Sequence, residues 1–293
     1  MLNVKNINTY YGRKLAIKNA SFTIFPGEIV GLIGPNGAGK TTIMKTLLGL
    51  TKFTGSITFD GQQITASNHK ALVNVGALIE NPAIYPFLSG KENLALYSRD
   101  KDDLNRLIKR LGMTAYIDRP AKSYSIGMKQ KLGIALALLN NPKLVILDEP
   151  MNGLDVEATI SIRKIIYEYA VHGTAFFISS HVLSELQKVM TSVIILNHRE
   201  IVMDVPIDKF QNTKISHYRL KTTADDKQVQ DLLHANNLPF EYRDKSLIIR
   251  TQDTAPIQQL LYQHQILLTE LSPIRKTFEQ AIVNVLEKKR GAE

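Results

Sequence analysis

The sequence predicts an α/β fold over roughly its first 200 residues, a sheet covered by helices, followed by a small α+β domain. Three observations predict it. Short β-rich apolar runs alternate with helical patterns up to about residue 205. A Gly-rich segment, Gly34 to Gly39, leads from one such run directly into a helical one. Beyond about residue 205 the texture changes to β-α-β-α-β-α within about 80 residues.

Each element has its own signal. Ile29-Val30-Gly31-Leu32-Ile33 reads as a strand buried on both faces, and a helix follows from Lys40 to Leu50. Between Asp103 and Leu111, residues Leu104, Leu107, Ile108 and Leu111 share one helical face, with Gly112 placed to stop the helix. Leu144-Val145-Ile146-Leu147 and Ala175-Phe176-Phe177-Ile178 are two further buried strands. Between them a long helix runs from Val156 to His172, closed by Gly173. Then come a strand His217–Lys221, a helix Asp226–Asn236, a strand Leu247–Arg250, a helix Pro256–Gln263, a strand Ile266–Leu271 and a last helix Ile274–Lys289. This divides the chain into domains at 1–210 and 211–293.

Composition narrows the class of protein. A chain of 293 residues suits about two domains, and 44% hydrophobic with 22% charged residues excludes disordered and fibrous chains. There is no Cys, which excludes disulfides and Cys-ligated metals and fits a reducing compartment. The first residues contain no signal-peptide core, and runs such as Leu132 to Leu139 fall far short of the roughly 20 apolar residues a spanning helix needs. The formal charge of +9 admits nucleic acid, an anionic membrane surface or a phosphorylated ligand, although no block of five basic residues occurs.

Two motifs carry chemistry. Gly34-Pro35-Asn36-Gly37-Ala38-Gly39-Lys40-Thr41 matches G-x-x-x-x-G-K-[ST]. Its glycines let backbone N–H groups converge on phosphate oxygens at a helix N-terminus. Lys40 would neutralise β- and γ-phosphates and the Thr41 hydroxyl would ligate Mg²⁺, while Thr42 is either a phosphate contact or a plain helix residue. Leu144 to Leu147 ends in Asp148-Glu149, two adjacent carboxylates that are costly to desolvate without a cation. Asp148 would hold Mg²⁺, and Glu149 would polarise the water attacking a γ-phosphate.

Between these motifs lies Tyr124-Ser125-Ile126-Gly127-Met128-Lys129-Gln130, which resembles the L-S-G-G-Q signature loop of ATP-binding cassette (ABC) ATPases. It keeps the Ser and the second Gly and departs at the other three positions. Ser-x-Gly-Met-Lys-Gln resembles the variant found in bacterial drug- and peptide-export cassettes. Asn152-Gly153-Leu154-Asp155 takes the family's D-loop position, with Asp155 equally readable as a helix N-cap. His181, in Ser179-Ser180-His181, resembles the switch histidine that contacts the γ-phosphate. Tyr11 resembles the aromatic residue that stacks on adenine, with core packing as the alternative. Where the family usually has Gln, this chain has Glu80, as in cassettes of lantibiotic immunity and bacitracin-type resistance. Glu80 is either a further Mg²⁺ ligand or a surface acid.

The resemblance covers about residues 1–205. It implies a P-loop NTPase cassette with a helical subdomain around residues 82–140, and ATP and Mg²⁺ as cofactors. It also implies head-to-tail pairing of two cassettes, a homodimer being expected, with Ser125, Gly127 and Asp155 reaching the partner's nucleotide. Separate transmembrane permease subunits would hold the protein on the cytoplasmic face of the membrane, and an antimicrobial peptide or drug would be the cargo. A different class, cassette ATPases acting on ribosomes or DNA, usually shows tandem cassettes or a long coiled-coil insertion. Neither is present, and no direct nucleic-acid contact is expected.

Overall fold

A computed structural model describes residues 1–211, 217–243, 246–274 and 277–288. In chain order come β1 (Leu2–Tyr11), β2 (Lys14–Ile24), β3 (Ile29–Ile33), α1 (Lys40–Leu47), β4 (Lys52–Phe59), β5 (Gln62–Ile64) and β6 (Val75–Leu78). Three helices follow, α2 (Gly90–Ala95), α3 (Lys101–Arg110) and α4 (Ile126–Leu138). Then come β7 (Leu144–Asp148), α5 (Val156–Val171), β8 (Ala175–Ser179), α6 (Leu183–Leu186), β9 (Ser192–Asn197), β10 (Glu200–Pro206) and α7 (Ile207–Gln211). The chain continues through β11 (His217–Thr222), α8 (Asp226–Ala235), β12 (Phe240–Arg243), β13 (Ser246–Arg250), α9 (Ala255–Gln263), β14 (Leu268–Pro273) and α10 (Phe278–Lys288). It divides into two compact units, Met1–Phe210 with Val285–Glu293 and Gln211–Asn284.

The first unit holds two sheets. One is antiparallel, in the order β2-β1-β4-β5; the other runs β10-β9-β3-β8-β7-β6 and is parallel from β9 to β6. Every residue of β3, β7, β8 and β9 is buried, which explains their unbroken apolar runs. The shared core joins Leu2, Ile17, Phe22 and Ile57 of the antiparallel sheet to Leu32, Ile146 and Phe177 of the parallel one, with Ile43 and Met44 of α1. Phe22 and Phe177 stack with ring centroids 5.5 Å apart. Beneath α1, the buried Thr46 hydroxyl lies 2.9 Å from that of Thr9 and 2.8 Å from that of Thr51, and donates to the Thr42 carbonyl at 2.8 Å.

The second unit is a four-stranded antiparallel sheet, β12-β13-β11-β14, built from a βαββαβ chain order. That order is the ferredoxin-like split βαβ arrangement. Its core gathers Leu220, Leu247 and Ile249 of the sheet with Val229, Leu233, Ile257 and Leu261 of the two helices.

Several boundaries differ from the sequence reading, each for a local reason. The α1 helix stops at Leu47 instead of Leu50 because Gly49 takes a left-handed φ of 68°. The α3 helix starts at Lys101 instead of Asp103, since the Asp100 carboxylate accepts from the Asp102 N–H and caps it. The expected strand at Ile266 begins only at Leu268. Gln265 (φ 55°) and the bond from Ile266 N–H to the Leu261 carbonyl close α9 with a Schellman turn. The last helix starts at Phe278 and not Ile274. Ile274 N–H is still bonded to the His217 carbonyl, and Thr277 and Gln280 form a reciprocal capping box. Strand β12, unanticipated in the sequence, pairs Phe240 with Ile249 and Tyr242 with Leu247.

Candidate nucleotide site

The loop Gly34 to Gly39 joins β3 to α1. A Cβ at Gly34 would meet the Leu196 carbonyl oxygen at 2.2 Å, and Gly39, at φ 111°, is the N-cap of α1. Only glycine fits a backbone that must pass so close and turn so sharply. Pro35, Asn36 and Gly37 are exposed at the tip, while Ala38 is buried beneath it and its N–H returns to the Pro35 carbonyl at 3.1 Å. The Lys40 ammonium folds over the loop, donating to the carbonyls of Gly34 (2.8 Å) and Pro35 (3.3 Å).

Parallel pairing of β3 with β8 and of β8 with β7 brings the acids to the same end of the sheet as this loop, with β8 between them. Asp148, at the tip of β7, is buried; its Oδ2 accepts from Thr41 Oγ1 at 2.7 Å and its Oδ1 from Ser179 Oγ at 2.5 Å. Glu149 follows with φ 53°, a left-handed conformation that costs a non-glycine residue on the order of 1 kcal/mol. Three residues, Ser179, Gln130 and His181, hold it there. Its N–H donates to Ser179 Oγ at 3.0 Å, and its carbonyl accepts from the Gln130 side chain at 3.2 Å. Its Oε2 accepts from the His181 N–H at 3.0 Å, with His181 Nδ1 2.8 Å away, the geometry of an Nδ1–H tautomer donating to the carboxylate.

Glu80, beyond the end of β6, is likewise left-handed (φ 59°), and its Oε1 accepts from the Lys45 ammonium at 2.7 Å. That hydrogen bond, with the charges of Glu80, Tyr11 and Asp148, raises the Lys45 pKa against the opposing effect of burial. Tyr11 is half exposed at the end of β1, where it pairs with Lys14 across a hairpin. Thr42 sits in the first turn of α1 with its carbonyl engaged by Thr46.

Ser125, Gly127 and Asp155 gather elsewhere in the unit, around a cavity of about 450 Å³ whose lining includes no residue of the phosphate loop. Ser125 caps α4, its Oγ accepting from the Met128 N–H at 3.2 Å. Asp155 caps α5 in the same way, accepting from the Ala158 N–H at 2.7 Å. Buried Tyr116 Oη beside this cavity has no hydrogen-bond partner among the described residues, and burial followed by the neighbouring Tyr124 pushes its pKa up to about 12. The sequence reading had not singled out Ser179, Gln130 or Lys45 for a role in the site. Gln130 and Ser179 lie inside the signature and switch-histidine motifs, but their contacts to Glu149 and Asp148 cross 19 and 31 residues of chain.

The donor set suits Mg²⁺. Thr41 Oγ1 and Asp148 Oδ2 are hard oxygens 2.7 Å apart, and among the described residues no three His, Cys, Asp or Glu side chains gather to hold a metal alone. A cation here would rely on nucleotide phosphates for its remaining ligands, as Mg²⁺ does.

A phosphate loop on a parallel sheet, two acids at the tip of β7 and a helical insertion before it define an ATP-binding cassette of the P-loop class. The family model described as "ABC transporter" matches residues 17–152. YdbJ of Bacillus subtilis, an uncharacterised ABC transporter ATP-binding protein, is 32% identical, with 97% of this chain and 94% of YdbJ covered. The lantibiotic transport ATP-binding protein SrtF of Streptococcus pyogenes is 37% identical over 72% of this chain and 93% of its own. The bacitracin transport ATP-binding protein BcrA of Enterococcus faecalis is 30% identical over 95% and 94%. The solved ATP-binding subunit of an ABC transporter superposes with a TM-score of 0.67 at 28% identity, covering 72% of this chain and 92% of that one. The chain belongs to the ABC transporter ATP-binding proteins and is an ATPase.

Proposed function

We propose that this subunit hydrolyses ATP with Mg²⁺ in a head-to-tail pair of cassettes and drives a separate permease that expels an antimicrobial peptide or drug. The observation that carries the chemistry is the Glu149 carboxylate, held by His181 at the open end of β7. In this reading the loop N–H groups of Gly34 to Thr41, the Lys40 ammonium and Thr42 bind the phosphates, and Tyr11 stacks on adenine. Thr41 and Asp148, with Glu80 as a further carboxylate, would hold Mg²⁺, which would supply positive charge to offset that of the phosphates. Glu149 orients water and takes its proton, and His181 fixes the carboxylate and faces the γ-phosphate. Ser125, Gly127 and Asp155, clustered away from their own loop, close the partner's site.

Residues 1–210 form the cassette and 211–293 an accessory domain. No helix among the described residues is long and apolar enough to cross a membrane. In this reading separate permease chains hold the subunit at the cytoplasmic face. An apolar groove of about 440 Å³ beside Glu80, lined by Leu50, Val73, Ile79, Tyr97 and Leu136, suits a permease helix. The cargo reading rests on likeness to SrtF, a lantibiotic transport protein, and BcrA, a bacitracin transport protein.

Glu149→Gln tests the chemistry. ATP binding should persist while hydrolysis falls about 100-fold or more, the typical scale for a removed general base. Wild-type turnover in that variant refutes the assignment. Deleting the gene and measuring growth in bacitracin and lantibiotics tests the cargo, with unchanged sensitivity to both counting against it.

A further inference from the structure

We propose that Lys45 is a positioning residue of the nucleotide site, holding Glu80 and cancelling the charge that this carboxylate brings beside the phosphates. The inference rests on the nucleotide site described above. An amide at position 80 would be neutral; Glu80 adds a full negative charge near Asp148 and the bound γ-phosphate. An uncompensated anion there would repel ATP. The structure holds the compensating cation in place. Lys45 stands in the last turn of α1, the helix that starts at Lys40, and its ammonium is 2.7 Å from Glu80 Oε1. The Lys45 side chain is about 29% exposed, and its ammonium is held by Glu80.

Glu80 cannot choose its position freely. Its left-handed backbone, two residues beyond Leu78 and its pairing with Leu147, sets its carboxylate on the side where α1 passes. The pair joins α1 to the loop entering the helical subdomain, so the cation that offsets Glu80 is borne by the helix whose N-terminus receives phosphate. Together the two side chains contribute no net charge, as a neutral amide would.

The test is a double-mutant cycle read by ATP titration, once with Mg²⁺ and once with EDTA. Lys45→Met keeps the aliphatic stem, and should weaken ATP binding about five- to tenfold, an effect of about 1 kcal/mol or slightly more. The loss should be larger in EDTA, where no metal offsets Glu80. In a Glu80→Gln background the same Lys45→Met change should cost less than about twofold, because there is no charge left to cancel. Lys45→Arg, which keeps the cation, should bind as wild type does. An equal loss in both backgrounds would overturn the proposal, since Lys45 would then act on the nucleotide or the fold directly. So would no loss at all. A wild-type protein that fails to bind ATP would instead remove the site reading on which the cycle is built.

Discussion

Ser179→Ala removes one oxygen atom that serves both acids of the site. Ser179 is completely buried on β8, directly opposite Asp148 in the β7–β8 ladder. Its Oγ donates to Asp148 Oδ1 at 2.5 Å and accepts from the Glu149 N–H at 3.0 Å. Losing a hydrogen bond to a buried carboxylate costs about 1.5–3 kcal/mol. The Glu149 N–H keeps a longer bond, 3.3 Å, to the Ser179 carbonyl, so its share is a fraction of a further kcal/mol. Alanine leaves almost no void, and the expected loss is therefore about 2–3 kcal/mol. At about 2–4 °C per kcal/mol for a unit of this size, the transition should fall by about 4–12 °C. Support lost behind a metal-holding carboxylate commonly costs 10- to 100-fold in metal affinity or activity. The Mg²⁺ requirement of hydrolysis should rise on that scale. Urea unfolding gives the stability term and a Mg²⁺ titration of ATPase activity the functional one. In a cycle with Asp148→Asn, the two substitutions should be non-additive by at least about 1 kcal/mol. A loss under 0.5 kcal/mol with an unchanged Mg²⁺ requirement would refute the reasoning.

Three other outcomes follow from single contacts. Ser125→Arg should abolish ATP-dependent dimerisation in a Glu149→Gln background, whereas Ser125→Ala, which loses the α4 cap at the same cost of about 1 kcal/mol, should still dimerise. Light scattering with ATP distinguishes the two, and equal dimerisation refutes the interface reading. Tyr116→Phe should stabilise by about 1 kcal/mol, since it removes a buried hydroxyl without a partner. Because the folded pKa of Tyr116 is raised from 10.0 to about 12, its contribution is intact below pH 10.0 and is lost as pH rises towards about 12. The Phe variant should lack that part of the alkaline loss, as urea curves at pH 8 and 11 would show. Thr46→Val keeps the shape but strands the Thr9 and Thr51 hydroxyls, and should cost about 2 kcal/mol by urea unfolding; a neutral result would mean that those hydroxyls find other partners.

Much of the parallel sheet was legible because burial on both faces leaves an unbroken apolar run, as in β3, β7 and β8. The phosphate loop was legible because the glycines that a close backbone approach demands sit at fixed spacing. Other features were hidden because their causes are not local. The left-handed turns of Glu80 and Glu149 leave no mark on residue type, since glycine is absent at both positions. Ser179 and Gln130 stood inside recognised motifs, yet their partners are set by strand pairing and helix docking. Lys45 belongs to no motif, and its partner Glu80 lies 35 residues further along the chain. In the second unit, β12 has only one partly buried position in four, so the apolar pattern that revealed its neighbour β13 was missing.

The strand order of the parallel sheet bears on how the protein is made. The partners of β3 begin at Ala175 on one side and Ser192 on the other, while the antiparallel strands that cover it are complete by Ile64. A ribosome releasing this chain therefore exposes Ile29-Val30-Gly31-Leu32-Ile33 with both edges open for nearly half of synthesis. Such an edge pairs readily with other chains. Nascent polypeptides arrested before Ala175 would carry a phosphate loop whose strand has no parallel partner, and they would be candidates for chaperone capture or degradation. The helical insertion lengthens that interval, so the segment that distinguishes this cassette from a plain P-loop domain also sets how long its central strand must wait.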